Sequence, residues 1–412
     1  MCGIYITNLP FSKSEIELKL KKIQFRGPDF LGVVQKENLS FGHLRLSIID
    51  LDKRSNQPFV YKGLTIVYNG EIYNFKEVRA ELITLGYEFK TTSDTEVLII
   101  GYHEWGKEVV QKLNGMFAFA IHDKSKNIIF CSRDRIGVKP FYYYWEKGQF
   151  EICSQIQPLS KNKIVNQEAV SIYLQTGYVP SPYSIYENIF KLPPGYNLII
   201  DLENQSKSIE KYWDLKKVKT VSWSYQEAKE KLHNLLKDAV KIRLQSDVPL
   251  GSFLSGGVDS ALISAIANKL TGGVKTFTIG FEDPKYDESK LAKKFSDIIG
   301  TDHKETICNP EDLIALVPKL FEAYGEPFAD SSAIPSLLLN KTTKPDVTVV
   351  LSGDGGDESF FGYNHFEWSK IFDYFFSIPF FLRKAFSFFI PYQILGKRAL
   401  AVKNIFKFKT FF

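Results

Sequence analysis

At 412 residues the chain is longer than one ordinary hydrophobic core supports, so two domains are expected. Its 44% hydrophobic and 24% charged residues are the proportions of a soluble globular protein. The 52 basic and 47 acidic residues leave a net charge of +5, and residues 1–360 hold no dense Lys/Arg run, which excludes the basic footprint of a nucleic-acid-binding domain. Four scattered cysteines, Cys2, Cys131, Cys153 and Cys308, form no CxxC pair. That argues against zinc or thioredoxin-like chemistry and for a reduced, cytoplasmic setting. ITNLPFSKSE interrupts any early apolar run, so no secretory signal is expected.

The chain opens MCGIYITN. Cys2 reads in two ways. It is a small buried hydrophobe, or, once Met1 is removed, a thiol nucleophile with its own α-amine as base, titrating at ~7.7–8.0. Up to about residue 200, short strand-like runs dominate: LTIVYNG (64–70), MFAFAIHD (116–123), NIIFCSRD (127–134) and FYYYWEKG (141–148). FKEVRAELITLG (75–86) is the clearest helix, closed by Gly86. These runs predict an antiparallel-sheet domain with flanking helices. Among them stand RGPD (26–29), LRLSIID (44–50), YNGEIYN (68–74) and TSDTE (91–95). Asn69-Gly70 is a hairpin turn or an oxyanion hole made of a side-chain amide and a backbone N–H. Arg45 is a bidentate carboxylate clamp and Asp94 an ammonium ligand, or both are ordinary core-edge groups.

The polar stretch IDLENQSKSIEKYWDLKKVKT, near 200–220, separates a first domain (2–210) from a second (225–412). The rhythm then changes to strands alternating with helices, which predicts a parallel α/β sheet. SYQEAKEKLHNLLKDAVKIRLQS is an amphipathic helix, VPLGSFLS a strand, DSALISAIANKL a helix, KTFTIGF a strand, DESKLAKKFSDIIG a helix and VTVVLSGDGGDE a strand with a loop. SGGVDS (255–260) falls between a strand and a helix start. Its Gly256 and Gly257 allow close backbone approach, Ser255 and Ser260 add hydroxyls, and Asp259 suits a phosphate that carries Mg²⁺. The bland alternative is a glycine turn with an Asp cap. SGDGGDE (352–358) repeats the arrangement, with three carboxylates in five residues that call for a cation. Two such loops at strand ends favour an ATP–Mg²⁺ site. The aromatic tail 371–395 reads as helices in need of a partner surface. Its longest charge-free run, 385–396, is too short for the ~20 residues of a membrane span.

Twelve motifs in order, CGI, RGPD, RLSIID, NGEIYNF, SDTE, NGMFAFAI, RDRIGVKPFYY, LPPG, DVPLGSFLSGGVDS, GFEDPKYDES, EPFADSSAIPS and LSGDGGDE, resemble the glutamine-hydrolysing asparagine synthetases. The resemblance implies an α+β N-terminal-nucleophile sandwich (αββα) followed by an α/β parallel-sheet ATP-pyrophosphatase domain. It implies that Cys2 attacks the glutamine amide and that Asn69 and Gly70 stabilise the oxyanion. Arg45, Glu71 and Asp94 would hold the glutamine. Ammonia would then attack an aspartate carboxylate activated by ATP as an acyl-adenylate. By the same resemblance Ser255, Gly256, Gly257, Asp259, Ser260, Ile279, Ser352 and Gly353 contact the nucleotide, Asp259 and Asp357 hold Mg²⁺, and Asp354 serves adenylate formation. Asp354 is glutamate in some relatives. The chain ends soon after Asp357, before the family's catalytic lysine motif, so the second domain is expected to be incomplete. Two other functions stay open: the same chemistry on another carboxylate, such as a sugar acid, or a glutaminase with a defective second half. Assembly, a homodimer included, is also open.

Overall fold

In the computed structural model of the chain, residues 1–159, 163–363, 366, 374 and 376–383 are described. Most of the tail read as partner-seeking helices lies outside them. The chain divides into two compact units, Met1–Ser352 and Gly353–Phe412. The polar boundary near 200–220 therefore lies inside the first unit.

The first half of that unit runs β1 (Gly3–Thr7), α1 (Lys13–Lys21), β2 (Phe30–Lys36), β3 (Leu39–Arg45), β4 (Phe59–Tyr61), β5 (Leu64–Ile72), α2 (Phe75–Thr84), α3 (Asp94–Trp105) and α4 (Val109–Lys112). It continues through β6 (Gly115–Asp123), β7 (Ile128–Arg133), β8 (Tyr142–Glu146), β9 (Gln149–Cys153), α5 (Gln167–Thr176), β10 (Ile189–Lys191), β11 (Tyr196–Asp201) and β12 (Ser206–Lys211). Two six-stranded antiparallel sheets result, ordered β10-β8-β9-β1-β3-β2 and β12-β11-β7-β6-β5-β4.

The period-2 alternation of the strands assigns the layers. Ile4, Ile6, Val67, Ala118, Ala120, Ile129 and Cys131 pack together between the sheets. Their strand neighbours Ile66, Tyr68, Phe117, Phe119 and Phe130 face outward onto Val97–Ile100 of α3 and Leu82 of α2. On the other sheet Tyr5 faces Ile16 and Leu20 of α1 and Ala169 of α5. Helix, sheet, sheet, helix is the αββα order. A capping box starts α1, with Ser12 and Glu15 exchanging hydrogen bonds.

The second half of the unit runs α6 (Tyr225–Arg243), β13 (Leu250–Phe253), α7 (Val258–Thr271), β14 (Lys275–Phe281), α8 (Ser289–Ile299), β15 (Asp302–Cys308), α9 (Pro310–Tyr324), α10 (Ala333–Thr343) and β16 (Val349–Leu351). The four strands form one parallel sheet, β15-β14-β13-β16. Leu250 and Leu351 pack under Val240 of α6 and Ile266 of α7. Ile279 and Phe281 pack against Leu316 of α9 and Leu338 of α10. The chain moves from β13 outward to β15 and then returns to the other side of β13. That reversal, at the carboxyl ends of β13 and β16, is where open α/β sheets bind ligands. Among the described residues no helix is long and apolar enough to cross a membrane.

Within this unit the two halves meet at two polar seams. The Asp50 N–H donates to Asp247 at 2.8 Å and the Asp247 N–H to the Ile48 carbonyl at 3.0 Å. At the other seam Glu326 accepts from the Tyr142 hydroxyl at 3.2 Å and from the Ile185 N–H at 3.2 Å, and pairs with the Lys191 ammonium.

The second unit, taken by itself, holds one short described helix, α11 (Gly356–Phe360), entered through Gly355 at φ +90°. The predicted strand-with-loop over 347–358 thus resolves into a short strand, β16, and this turn of helix.

Candidate active site

A cavity of about 220 Å³ opens at the head of the sandwich. It is lined by Cys2, Arg45, Asn69, Gly70, Glu71 and Asp94, all singled out in the sequence. Six residues spread over 93 positions meet because β1 starts, β3 and β5 end, and α3 begins at one edge. The volume lies below the ~300–1,000 Å³ of drug-sized ligand sites, in keeping with an amino-acid-sized occupant.

Asn69 and Gly70 are not a hairpin turn. They lie inside β5, where Asn69 pairs with Ala118 and Gly70 with Phe117. The turn preference of the dipeptide gives way to the ladder that β5 shares with β4 and β6. Asn69 is fully buried, and neither its amide nitrogen nor its amide oxygen has a hydrogen-bond partner in the structure. A buried polar group in that condition costs stability. It is the condition of a preorganised donor aimed at charge that appears during reaction. A Cβ on Gly70 would stand 2.3 Å from the Met116 carbonyl oxygen and 2.6 Å from the Tyr68 ring, so glycine is required by close approach.

Cys2 is half-buried. The Leu46 N–H points at its Sγ from 3.5 Å, and Arg26 of the RGPD motif holds its carbonyl through Nε at 2.9 Å. With Met1 in place the nitrogen of Cys2 is a peptide amide and accepts no proton. The α-amine here belongs to Met1, also at the cavity. Its pKa is lowered to about 5, first by burial and then by the Lys139 and Arg26 cations, against the pull of Cys2 and Asp29. A free amine at this spot is thus held in the proton-accepting form near neutrality.

Arg45 is buried, and its guanidinium grips the loop that follows it. It donates to the Asp52 carbonyl at 2.9 Å, to Asn56 Oδ1 at 2.8 Å, to the Ile49 carbonyl at 3.3 Å and to the Asp50 carbonyl. It shapes one wall of the cavity, and these four bonds occupy Nη1 and Nη2. Asp94 sits in the first turn of α3, whose cap Ser93 bonds the Thr95 N–H at 3.0 Å. One Asp94 oxygen accepts from the Tyr68 hydroxyl at 2.8 Å and from the Ile72 N–H at 3.1 Å. Burial raises its pKa against those hydrogen bonds.

Glu71 is buried, and burial, then the nearby Asp94 charge, raises its pKa to about 7. The folded protein therefore holds the Glu71 proton between pH ~4.5 and ~7, where the unfolded chain releases it. Stability from this group is present at low pH and falls as pH rises through that window. Glu71→Gln is expected to raise stability by up to about 3 kcal/mol at pH 8 and to change it little at pH 4.5, read from thermal melting at both pH values.

Lys139 was not anticipated from the sequence as a site residue. It lines the cavity, is almost wholly buried, and has a pKa lowered to about 8, first by burial and then by Arg26. The far wall, Thr348, Val349 and Val350, comes from β16 and the residue before it.

The nucleotide-type loop lies at the reversal point of the parallel sheet. Ser255, Gly256 and Gly257 follow β13, and α7 begins at Val258 with no side-chain cap on its first turn. Ser260 Oγ accepts from the Ser255 N–H at 3.0 Å and meets the Ser255 hydroxyl at 2.8 Å. The Gly256 N–H donates to the Glu288 carboxylate at 3.1 Å. An anionic oxygen thus already occupies one backbone donor, so the loop fits an anionic ligand such as a phosphate. Asp259 lies in the first turn of α7, and Ser352 ends the unit next to β16, the neighbour of β13. Ile279 is half-buried in β14. In the second unit Gly353, Asp354 and Asp357 lead into and start α11, and Glu358 accepts from Tyr363 at 2.8 Å. Among the described residues no group of three His, Cys, Asp or Glu side chains stands ready to hold a metal ion.

Residues 1–213 match the glutamine amidotransferase domain family and residues 231–408 the asparagine synthase family. The chain is 40% identical to a putative glutamine-hydrolysing asparagine synthetase of Methanocaldococcus jannaschii, over 90% of this chain and 76% of that protein. It is 37% identical to asparagine synthetase 1 of Bacillus subtilis, over 83% of this chain and 54% of that one. It is 33% identical to asparagine synthetase 3 of the same organism, over 90% and 64%. The chain thus spans between about half and three quarters of the length of these relatives. On both domain matches and on the extent of the first of these similarities, the chain belongs to the glutamine-hydrolysing asparagine synthetase family.

Proposed function

We propose that the chain takes nitrogen from the amide of glutamine and delivers it to an ATP-activated carboxylate of aspartate, giving glutamate, asparagine, AMP and pyrophosphate. The observation that carries the first half is Asn69, a buried amide with both polar atoms unpartnered, at the cavity that also holds Cys2.

In this reading Met1 is removed and the α-amine of Cys2 takes the thiol proton. Sγ attacks the glutamine amide carbon. The Asn69 side chain and the Gly70 N–H receive the developing oxyanion. The proton returns to the leaving nitrogen, ammonia departs, and water hydrolyses the thioester to glutamate. Glu71 and Asp94 receive the substrate ammonium, and Arg45 fixes the loop against which the carboxylate rests.

ATP, a substrate here, supplies the adenylyl group that activates the acceptor. The loop 255–260 receives its phosphates, with Ile279, Ser352 and Gly353 at the nucleotide, Asp354 serving adenylate formation, and Asp259 and Asp357 as ligands of the accompanying Mg²⁺. In this reading a glutaminase domain covers 2–210 and a synthetase domain 225–412, a division supported by family matches over 1–213 and 231–408. A cytoplasmic setting accords with four cysteines that are all free thiols.

The names of the relatives favour aspartate over a sugar acid as acceptor. An assay of the 412-residue chain with glutamine, aspartate and Mg-ATP, following glutamate, AMP and asparagine together, tests the reading. All three in equal amounts are the expected result. Glutamate without AMP would reduce the function to that of a glutaminase.

A further inference from the structure

The segment RDRIGVK (133–139) is a rigid turn whose polar side chains are committed to holding its shape, with one exception. Arg133 spans it, donating to the carbonyls of Lys139 at 2.7 Å, Leu192 at 2.6 Å and Gly137 at 2.8 Å. The Asp134 carboxylate accepts the N–H groups of Val138 at 2.9 Å, Lys139 at 2.9 Å and Phe117 at 3.3 Å. Arg135 donates to the Leu113 carbonyl at 2.6 Å. Gly137 closes the turn at φ +73°, with the Pro194 ring where a Cβ would stand. The exception is Lys139. Its backbone is held at both N–H and carbonyl, yet its ammonium makes no hydrogen bond or ion pair among the described residues. A lysine almost wholly buried and unneutralised is costly, and the turn spends its whole hydrogen-bonding capacity on delivering it to the cavity of Cys2.

We propose that Lys139 is a positioning residue for the nucleophile, its uncompensated cation biasing the thiol and the freed α-amine of Cys2 toward their proton-free forms. The inference rests on the glutaminase reading of this cavity. The charged groups that face Lys139 are Arg26 from the turn after α1, the Cys2 thiol and the N-terminal amine from the start of β1, Glu71 from β5, and Asp134 from its own turn. Arg26 is engaged with the Cys2 carbonyl. Glu71 is driven toward its neutral form by burial and Asp94. Arg26 is a like charge, and the Asp134 carboxylate is taken up by the N–H groups of Val138, Lys139 and Phe117, so the Lys139 ammonium is left without a hydrogen-bonded counter-ion. Above its own pKa of about 8 the cation is lost, so the bias belongs to the neutral and acidic side of the profile.

The test uses the chain freed of Met1 and two readouts. The first is the pH dependence of Cys2 alkylation by iodoacetamide, resolved from the three buried cysteines by peptide mass spectrometry. The second is the acidic limb of kcat/KM for glutamine hydrolysis. In Lys139→Met both midpoints are expected to rise by about one pH unit, the size of a unit charge within roughly 10 Å at intermediate dielectric. Lys139→Arg, which keeps the charge, is expected to bring them back. Should Lys139→Met fail to fold by thermal melting, Lys139→Gln replaces it under the same criteria. Unmoved midpoints in a folded, neutral variant overturn the proposal, whatever happens to kcat or KM. Alkylation reads Cys2 whether or not glutamine is turned over, so a chain that shifts in alkylation but never hydrolyses glutamine sinks the glutaminase reading and spares this one.

Discussion

Glutamine hydrolysis is expected to fall by at least about 10⁴-fold in Cys2→Ala, with the fold intact. On the proposed mechanism the loss is that of a nucleophile whose proton acceptor is its own α-amine, so no neighbouring side chain substitutes for it. Cys2 is half-exposed just before β1, and its thiol touches the backbone of Leu46 without carrying any core packing. Removing Sγ therefore leaves the core clusters unchanged. Ammonia supplied from solution bypasses the thiol, so any ammonia-dependent synthesis of asparagine is expected to survive. Keeping Met1 blocked should mimic the substitution, because the Cys2 nitrogen then stays an amide. Glutamate release by Cys2→Ala at a rate within tenfold of the parent would show that another group attacks the amide.

Asn69→Leu is expected to move activity and stability in opposite directions. The side chains are close in size, and the site lies in the middle of a paired strand with no exposure. Loss of the oxyanion donor lowers kcat by about 10²–10³-fold. Removing two unpartnered buried polar atoms raises stability by about 1–3 kcal/mol. Steady-state kinetics and calorimetric melting on one preparation check both signs. A variant that melts lower and still turns over glutamine would mean that Asn69 is a packing residue. The opposed signs are those of a site held in an unfavourable state for the sake of its chemistry.

How much of this could be read beforehand depended on whether a signal was local. The strand runs made an antiparallel-sheet domain with flanking helices legible, while the two-layer sandwich was implied by the family resemblance; in the structure Val67, Ala118 and Ala120, between the sheets, alternate with Tyr68, Phe117 and Phe119. The second half was legible because strand runs alternate with helical segments, the pattern of a parallel α/β sheet. α3 gave no helical stripe, since Asp94–Tyr102 is buried on every side and DTEVLIIGY lacks a polar face. β15 (DHKETIC) is a polar edge strand and carries little strand signal. The ordered motifs gave the cavity residues, while the Asn69-Gly70 dipeptide alone pointed equally to a turn. Lys139 was invisible because a single lysine has no spacing to betray it. The clue was that every other polar side chain in RDRIGVK has a structural task.

One wall of the cavity at Cys2 is made by Thr348, Val349 and Val350, from β16 of the parallel sheet and the residue before it and not from the sandwich. Modularity is therefore broken at this point. The family matches divide the chain near residue 220, yet a piece cut there would carry its nucleophile in a vessel with one side missing. The same strand, β16, pairs with β13 through Leu250↔Val349, Gly251↔Val350 and Ser252↔Leu351, so its register fixes where this wall of the cavity stands. A substitution that slides β16 along β13 therefore moves Val349 and Val350 in the cavity of the sandwich, so a change in the parallel sheet reaches the chamber of Cys2.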